Sequence, residues 1–324
     1  MAEANRPLLD ASANGPLKRM MKGSPDSAAP AVDSALAALH AEPFVVFEPP
    51  ARLVPFIFAS PHSGRLYPRT FLNLSHLSPL TLRRSEDAYV DELFADVVQL
   101  GAPLIVARFP RAYVDANRAP GELDQTMFHG SLGVPIEQAS ARVNAGLGVI
   151  PRIVRDGAEI YREKLPASEA EDRLSRLHRR YHAALSALVQ ETQARFGAAV
   201  VIDCHSMPSA AGTPHIVLGD RYGTAASPTL LRKAEELFQS RGFTVGRNVP
   251  YAGGYTTHLY GEPVRGRHAL QVEVNRALYL DEDRLEVTAG YAELRRRLLA
   301  VFVELVGIDA DVLRQQRGMR FAAE

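Results

Sequence analysis

The chain of 324 residues has a single cysteine, Cys204, and no surplus of charge of either sign. One cysteine excludes an internal disulfide and is typical of a reducing compartment. The 37 basic and 37 acidic residues cancel, so no net field attracts nucleic acid or an acidic membrane. No apolar run approaches the roughly 20 residues that span a bilayer, and the first residues lack the apolar core of a signal peptide. We therefore expect a soluble, cytoplasmic protein that binds neither nucleic acid nor membranes.

Residues 1–42 are rich in small and turn-forming residues and have no sustained hydrophobic period. Such a segment cannot bury enough apolar surface to offset its ordering entropy. We expect a flexible extension there, with a weak helix over residues 33–40 as the one candidate element. Beyond it, strand-like runs alternate with amphipathic stretches, which predicts a single α/β domain over residues 43–324. The central sheet should be mixed, largely parallel and flanked by helices.

Two apolar runs of strand length end at a histidine. VPFIFASPHSG carries His62, and AAVVIDCHSMP carries His205. Each pattern is typical of a buried parallel strand that leads into a loop. Ligands bind at the carboxyl ends of strands in open α/β sheets, so the two imidazoles predict a metal site. The alternative is that each histidine is a hydrogen-bonded loop residue.

A catalytic zinc site takes about three protein ligands and leaves one position open for water. Glu86 and Asp87, at the predicted start of a helix within residues 81–100, and Asp91 one turn later, are candidates for the third ligand. Carboxylates at a helix N-terminus are also favoured electrostatically. Glu86 and Asp87 could therefore equally be capping residues.

The run LQVEVNR has the alternation of a β-strand, with Gln271, Glu273 and Asn275 on one face. Inside a sheet, an unpaired Glu273 carboxylate would cost several kcal/mol or change its protonation. Water on a metal ion is a suitable partner. A salt bridge to an arginine, or an exposed edge strand, would explain the residue as well.

The stretch PRAYVDANRAP places Arg111, Asp115, Asn117 and Arg118 directly after an apolar strand. The planar guanidinium of arginine matches a carboxylate in bidentate fashion. These residues therefore indicate a site for an acidic small molecule, although loop arginines are often solvated or structural.

Two further features suggest chemistry that we do not expect. His178 and His182 have the spacing of a helical zinc pair, but Arg179 stands where the metalloprotease motif has its glutamate. We expect these histidines on a solvated helix face. Cys204 lies in an apolar strand, and we expect it to pack as a small hydrophobe rather than act as a nucleophile.

A series of motifs resembles the N-formylglutamate amidohydrolase family, in that family's order and over roughly residues 55–280. The motifs are PHSG, EDAYVDEL, RAYVDANR, GLGVIPR with DGAEIY, DCHS, GGYTTHLYG and QVEVNRALY. The resemblance implies a fold like that of the zinc-dependent exopeptidases, with a phosphorylase/hydrolase-like mixed sheet. It also implies hydrolysis of the amide of an N-formyl or N-acyl amino acid. N-formyl-L-glutamate, cleaved to formate and L-glutamate as in histidine catabolism, is the first candidate substrate.

The resemblance also implies residue roles. The metal ligands would be His62, Asp87 and His205, holding one zinc ion or another divalent metal per chain. Glu273 matches the general base of the related zinc carboxypeptidases and aspartoacylase. Arg111 would stabilise the oxyanion, while Asn117 and Arg118 would hold the substrate carboxylate. His258 in GGYTTHLYG matches a family histidine that either contacts substrate or supports the site.

The chain departs from related patterns at two places. Arg65 stands where the wider exopeptidase superfamily has a ligand glutamate three residues after its first histidine, so the carboxylate ligand must come from elsewhere. Ala88 and Tyr89 replace the Trp and His of the histidine-catabolism deformylases. Two alternatives thus stay open: a deacylase or carboxypeptidase for another N-acyl amino acid, and a non-enzymatic binding protein for an acidic small molecule.

Overall fold

A computed structural model describes residues 33–136, 140–154 and 157–314 of the chain. The strands are β1 (Phe44–Phe47), β2 (Phe56–Ser60), β3 (Leu104–Ala107), β4 (Phe128–His129), β5 (Leu165–Pro166), β6 (Ala199–Met207), β7 (Ile216–Gly219), β8 (Val245–Arg247), β9 (Arg267–Asn275), β10 (Leu280–Asp281) and β11 (Glu286–Val287).

The α-helices are α1 (Ser34–Ala41), α2 (Arg69–Leu74), α3 (Pro79–Arg83), α4 (Val90–Leu93), α5 (Ala141–Asn144), α6 (Ala167–Arg173), α7 (Arg179–Phe196), α8 (Pro228–Ser240), α9 (Tyr255–Tyr260), α10 (Gly290–Leu305) and α11 (Ala310–Arg314). Short 3₁₀ segments cover Ala95–Leu100, Gln125–Met127, Pro263–Arg265 and Arg276–Leu278, and π geometry covers Leu174–His178. In the part of the chain that the structure describes, no helix combines the length and apolar character needed to cross a membrane.

Within the described ranges, seven strands form the main sheet in the order β1-β3-β2-β6-β9-β7-β8. The neighbours β3, β2, β6 and β9 run parallel, as do β7 and β8. In this sheet, as far as the structure describes it, the antiparallel pairs are β1 with β3 and β7 with β9. The predicted mixed, largely parallel sheet is therefore confirmed.

Alternating side chains of the central strands pack into two apolar layers. Phe58, Ile202 and Val272 face the layer formed with α4, α8 and α10. Their sequence neighbours Ile57 and Val201 face the opposite layer, formed largely with α7. Because both faces are covered, a polar side chain on β6 or β9 can reach water only near the ends of the strands.

Helix α1 lies within the segment that the sequence predicts to be a flexible extension, at the position of the weak helix expected over residues 33–40. The side chain of Asp33 accepts a hydrogen bond from Leu36 N and so caps α1. Leu39 of this helix is fully buried. Burial of one apolar residue and a cap stabilise a helix that local propensity alone predicts only weakly. Residues 1–32 of the predicted extension lie outside the described residues.

The helix predicted within residues 81–100 is interrupted, and that prediction was wrong. Helix α3 ends at Arg83, α4 begins at Val90, and Tyr89 between them has a left-handed φ of 62°. The backbone N–H of Asp87 donates to His62 O at 3.0 Å instead of to a carbonyl of its own helix. This contact ties Asp87 to the loop that follows β2.

Candidate active site

A cavity of about 300 Å³ opens at the carboxyl ends of β2, β6 and β9. It contains nearly all the side chains that the sequence predicts for the site. These are His62, Asp87, Arg111, Asn117, Arg118, His205 and Glu273. The strand ends converge because β2, β6 and β9 are parallel neighbours, as expected for a ligand site in such a sheet.

His62, Asp87 and His205 form a buried triad. His205 Nδ1 lies 2.9 Å and His62 Nδ1 lies 3.4 Å from the same oxygen, Asp87 Oδ2. One ligand atom from each residue lies within 4.8 Å of the other two. Two nitrogens and one carboxylate oxygen are the donor set of a catalytic zinc site.

A carboxylate supports each histidine from behind. His62 Nε2 lies 2.7 Å from Asp115 Oδ1, and His205 Nε2 lies 3.0 Å from Asp203 Oδ1. Since a carboxylate accepts, Nε2 of His62 carries the hydrogen and Nδ1 of His62 turns its lone pair to the centre. Nε2 of His205 also lies 3.0 Å from Asn117 Nδ2. His62 Nδ1 is buried without a hydrogen-bond partner. This orphaned nitrogen and the paired outer carboxylates fit a bound divalent cation.

The second oxygen of Asp87 is held by Arg276 and Ser206. Arg276 Nη2 donates to Asp87 Oδ1 at 2.9 Å, and Ser206 Oγ lies 3.3 Å from the same oxygen. Burial alone would raise the pKa of Asp87, but the adjacent imidazoles of His205 and His62 hold that pKa well below its usual range. Asp87 is therefore an anion that presents one oxygen to the centre.

The charges of Asp115 and His205 are also determined by the groups beside them. Burial would raise the pKa of Asp115, but Arg111 and His62 hold it well below its usual range. Burial would lower the pKa of His205, yet the adjacent Asp203 carboxylate raises it well above its usual value. Without a cation, a proton on His205 balances the carboxylates.

Glu273 lies beside His205 because the two residues are register partners on β9 and β6. Gln271 Nε2 donates to Glu273 Oε1 at 2.8 Å, and Gln271 Oε1 accepts from Gly254 N at 3.0 Å. Burial raises the pKa of Glu273 to about 7; nearby His205 opposes the rise and Asp87 adds to it. A carboxyl group with a pKa near neutrality is suited to general acid–base work.

The alternative explanations for Glu273 do not apply. Strand β9 lies between β6 and β7 rather than at an edge. Among residues 33–136, 140–154 and 157–314, no arginine forms an ion pair with Glu273 within 4.0 Å. Glu273 is therefore a buried carboxyl group that faces the cavity.

Arg111, Asn117 and Arg118 lie on one wall of the cavity. Arg111 Nε donates to Asp115 Oδ2 at 3.0 Å. Arg118 donates to the carbonyls of Asn117 and Leu147. Both guanidinium groups have further N–H donors beyond these contacts, so either can bind an anion in the cavity.

The side chain of Asn117 is engaged by the protein itself. Its Oδ1 accepts from Thr256 N at 2.8 Å, and its Nδ2 donates to Asp203 Oδ2 at 3.1 Å. Asn117 thus connects α9 to the carboxylate behind His205. His258, the last predicted site residue, lies on the exposed face of α9 and does not line the cavity. The structure does not bring it together with the other site residues.

Sequence reasoning assigned no role to three residues of the site: Asp203, Gln271 and Arg276. The strand period placed Gln271 on the face of Glu273 without giving it a contact, and the same period could have placed Asp203 on the face of His205. Arg276 gave no such local signal, because its role depends on the path of the chain around Asp87.

Of the two features that we set aside, one prediction was wrong and one is confirmed. His178 and His182 are buried rather than solvated. Cys204 is fully buried in the apolar layer that includes Ile202, and burial raises the pKa of its thiol well above the usual value. It packs as a hydrophobe.

Comparisons with known proteins find sequences similar to this chain. Residues 54–280 match the family described as N-formylglutamate amidohydrolase. An N-formylglutamate deformylase from Pseudomonas aeruginosa is 27% identical over 265 residues, which cover 78% of this chain and 92% of that protein. An N-formylglutamate deformylase from Pseudomonas putida is 27% identical over 207 residues, covering 60% and 71% respectively.

Two solved structures are similar in fold. The crystal structure of N-formylglutamate amidohydrolase from Ralstonia eutropha JMP134 aligns with a TM-score of 0.77 and 35% identity, covering 84% of this chain and 99% of that one. The gene product Atu2144 from Agrobacterium tumefaciens aligns with a TM-score of 0.58 and 18% identity, covering 85% and 96%. At that identity the second likeness concerns the fold alone.

Proposed function

Because this chain belongs to the N-formylglutamate amidohydrolase family, we propose that it is a zinc-dependent enzyme that hydrolyses N-formyl-L-glutamate to formate and L-glutamate. The relatives confirm the expectation of an amide-bond hydrolase. The substrate proposal draws on their names, and the metal proposal on the buried triad. One observation carries the mechanism: the triad and Glu273 face the same cavity.

The metal ligands in this proposal are His62, Asp87 and His205, with one zinc ion per chain and another divalent metal as the alternative. A bound zinc ion supplies Lewis-acid activation of water and of the scissile carbonyl. The chain supplies the geometry: Asp115 and Asp203 orient the two imidazoles, and Arg276 fixes the aspartate. Such outer contacts typically change metal affinity or activity by roughly 10- to 100-fold.

Glu273 is the general base. Its carboxylate accepts a proton from the attacking water as oxygen bonds to the formyl carbon, and it delivers that proton to the amine nitrogen as the C–N bond breaks. Gln271 occupies Oε1 of Glu273, which leaves Oε2 to receive the proton. The hydrogen bond from Gln271 thus orients the carboxylate of Glu273 for proton transfer.

The positive wall of the cavity recognises the acidic substrate. Arg111 stabilises the developing oxyanion, a contribution of about 3 kcal/mol for one well-placed donor. Arg118 binds a substrate carboxylate. The hydrogen bond from Asn117 to Asp203 fixes the position of the loop that carries Arg118. Arg84 and Arg142 line the same cavity and suit the second carboxylate of a glutamate substrate. We assign no direct role to the exposed His258.

We further propose that the single α/β domain predicted over residues 43–324 acts in the cytoplasm, on an acidic small molecule, in histidine catabolism. These points rest on family membership and on the balanced charge and single cysteine of the sequence. The substitutions Ala88 and Tyr89 near Asp87 keep a different N-acyl amino acid as the second candidate substrate.

The test is a panel of N-formyl and N-acetyl amino acids assayed with the zinc-loaded protein and with Glu273→Gln. We expect N-formyl-L-glutamate to give the highest kcat/KM. The variant should keep its zinc and lose at least ~100-fold in kcat, because the amide cannot accept the proton. Wild-type turnover by the variant would contradict the role of Glu273. Preference for an N-acetyl substrate would replace the proposed substrate.

A further inference from the structure

Two buried histidines on one helix have no part in the proposed reaction. His178 and His182 are 2% and 8% exposed, and their ring centroids lie 4.6 Å apart. His178 is the last residue of the π segment Leu174–His178, and His182 follows one turn later in α7. Single π turns inside α-helices frequently occur at functional sites.

Both imidazoles contact backbone carbonyls of the same loop. His178 Nε2 lies 2.9 Å from Arg118 O, and His182 Nε2 lies 2.7 Å from Ala116 O. Because a carbonyl oxygen only accepts, each Nε2 carries the hydrogen and donates. The two imidazoles, one helical turn apart, thus donate to the backbone carbonyls of Ala116 and Arg118.

The loop held in this way carries much of the active site. Residues 115–118 are buried without regular secondary structure, so their backbone groups need partners from elsewhere in the protein. Asp115 accepts from His62, and Asn117 donates to Asp203 behind His205. The same few residues therefore support both imidazoles of the triad.

We propose that His178 and His182 are positioning residues of the active site. They fix the carbonyls on either side of Asn117, and through this loop they set the orientation of the supports behind His62 and His205. The catalytic consequence rests on the proposed function, whereas the consequence for the loop does not.

The chain offers a matched control in His268. This residue is also fully buried, and its Nε2 donates to Leu313 O at 3.0 Å, in contact with α11 rather than the cavity. His182→Leu and His268→Leu each remove one buried donor to a carbonyl. His182→Gln restores an amide donor near the position of Nε2.

We expect His182→Leu to keep stoichiometric zinc and to lose about 10-fold or more in kcat per folded molecule, since small displacements of catalytic groups have large effects. His182→Gln should recover most of that loss. His268→Leu should be destabilised with unchanged kcat. Equal kcat for His182→Leu and wild type, or an equal loss in His268→Leu, would overturn the proposal. If His182→Leu does not fold, the same measurements of kcat and zinc content on His178→Leu test the proposal.

Amide hydrogen exchange of the metal-free protein separates this proposal from the proposed function. Peptides that cover residues 112–119 should exchange faster in His182→Leu than in wild type and in His268→Leu. Unchanged exchange would overturn the positioning role. If the wild type fails to hydrolyse N-formyl-L-glutamate while exchange in the loop still rises, the substrate proposal fails and the positioning role stands.

Discussion

Glu86 and Asp87 are adjacent buried carboxylates with different surroundings. Glu86 accepts from Tyr67 OH at 2.7 Å and from Arg83 Nε at 3.2 Å, and it does not line the cavity. Asp87 points to the two histidines at the strand ends. At the scale of single residues, the left-handed backbone of Tyr89 and the contact of Asp87 N to His62 O decide which carboxylate reaches the centre.

This difference predicts opposite outcomes for two conservative substitutions. Asp87→Asn should weaken zinc binding by at least about 100-fold, because an anionic ligand becomes a neutral amide. Glu86→Gln, a matched change one residue away, should retain one zinc per chain. Competition with a chromophoric chelator measures both affinities. Zinc retained at wild-type affinity by Asp87→Asn would remove it from the ligand set.

At the scale of elements, strands and loops contribute different parts of the site. The backbone register of β6 and β9 pairs His205 with Glu273, and Asp203 with Gln271. Other residues of the cavity come from the loop that carries Asn117 and from the segment that ends at Gly254. These two segments touch: an added Cβ at Gly254 would lie 2.5 Å from the side-chain atoms of Asn117.

Gly254→Ala should therefore displace Asn117 from Asp203 and lower kcat/KM by about 100-fold, with zinc retained. The backbone of Gly254 has a φ of −102°, which alanine adopts without strain, so the effect comes from the close contact. Gly133→Ala is the matched control, because an added Cβ at that position meets no atom within 4 Å. Steady-state kinetics of the two variants make the comparison, and equal activities would contradict it.

The sequence predicts those elements whose pattern lies among neighbouring residues, and it does not predict contacts between distant segments. The strand before His62, the strand that leads to His205 and the alternation around Glu273 depend on neighbouring residues. The structure contains all three, although β6 continues through His205 to Met207. The break at Tyr89 and the contact of Arg276 with Asp87 depend on segments far apart in the chain, so periodicity could not reveal them. The prediction that His178 and His182 lie on a solvated face was wrong because their partners are carbonyls of a distant loop. Such contacts do not appear in the hydrophobic pattern of a helix.

At the scale of the whole molecule, buried neutral histidines make stability depend on pH. Burial, with the nearby His178, lowers the pKa of His182 from 6.5 to about 3. The unfolded chain then binds one more proton than the folded chain between these values. The stabilisation is complete above pH 6.5 and is lost as pH falls toward the folded-state pKa.

We expect this residue to reduce the free energy of unfolding of the wild type by about 2 kcal/mol between pH 6.5 and about pH 5. His182→Gln has no group to protonate, so its stability relative to wild type should improve by that amount on acidification. Chemical unfolding of the metal-free proteins at the two pH values measures the change. His129→Gln, at an exposed position, is the control, and a pH-independent difference for His182→Gln would contradict the expectation.

The pairing of β6 with β9 has a consequence for how such an enzyme can diversify. His205 and Glu273 are paired on two inner strands, whereas residues within 142–154 and 250–253 line the cavity from segments outside the sheet. Evolution, or an engineer, can therefore rewrite the outer segments to admit a new acyl or amino-acid group while the hydrolytic machinery is inherited intact.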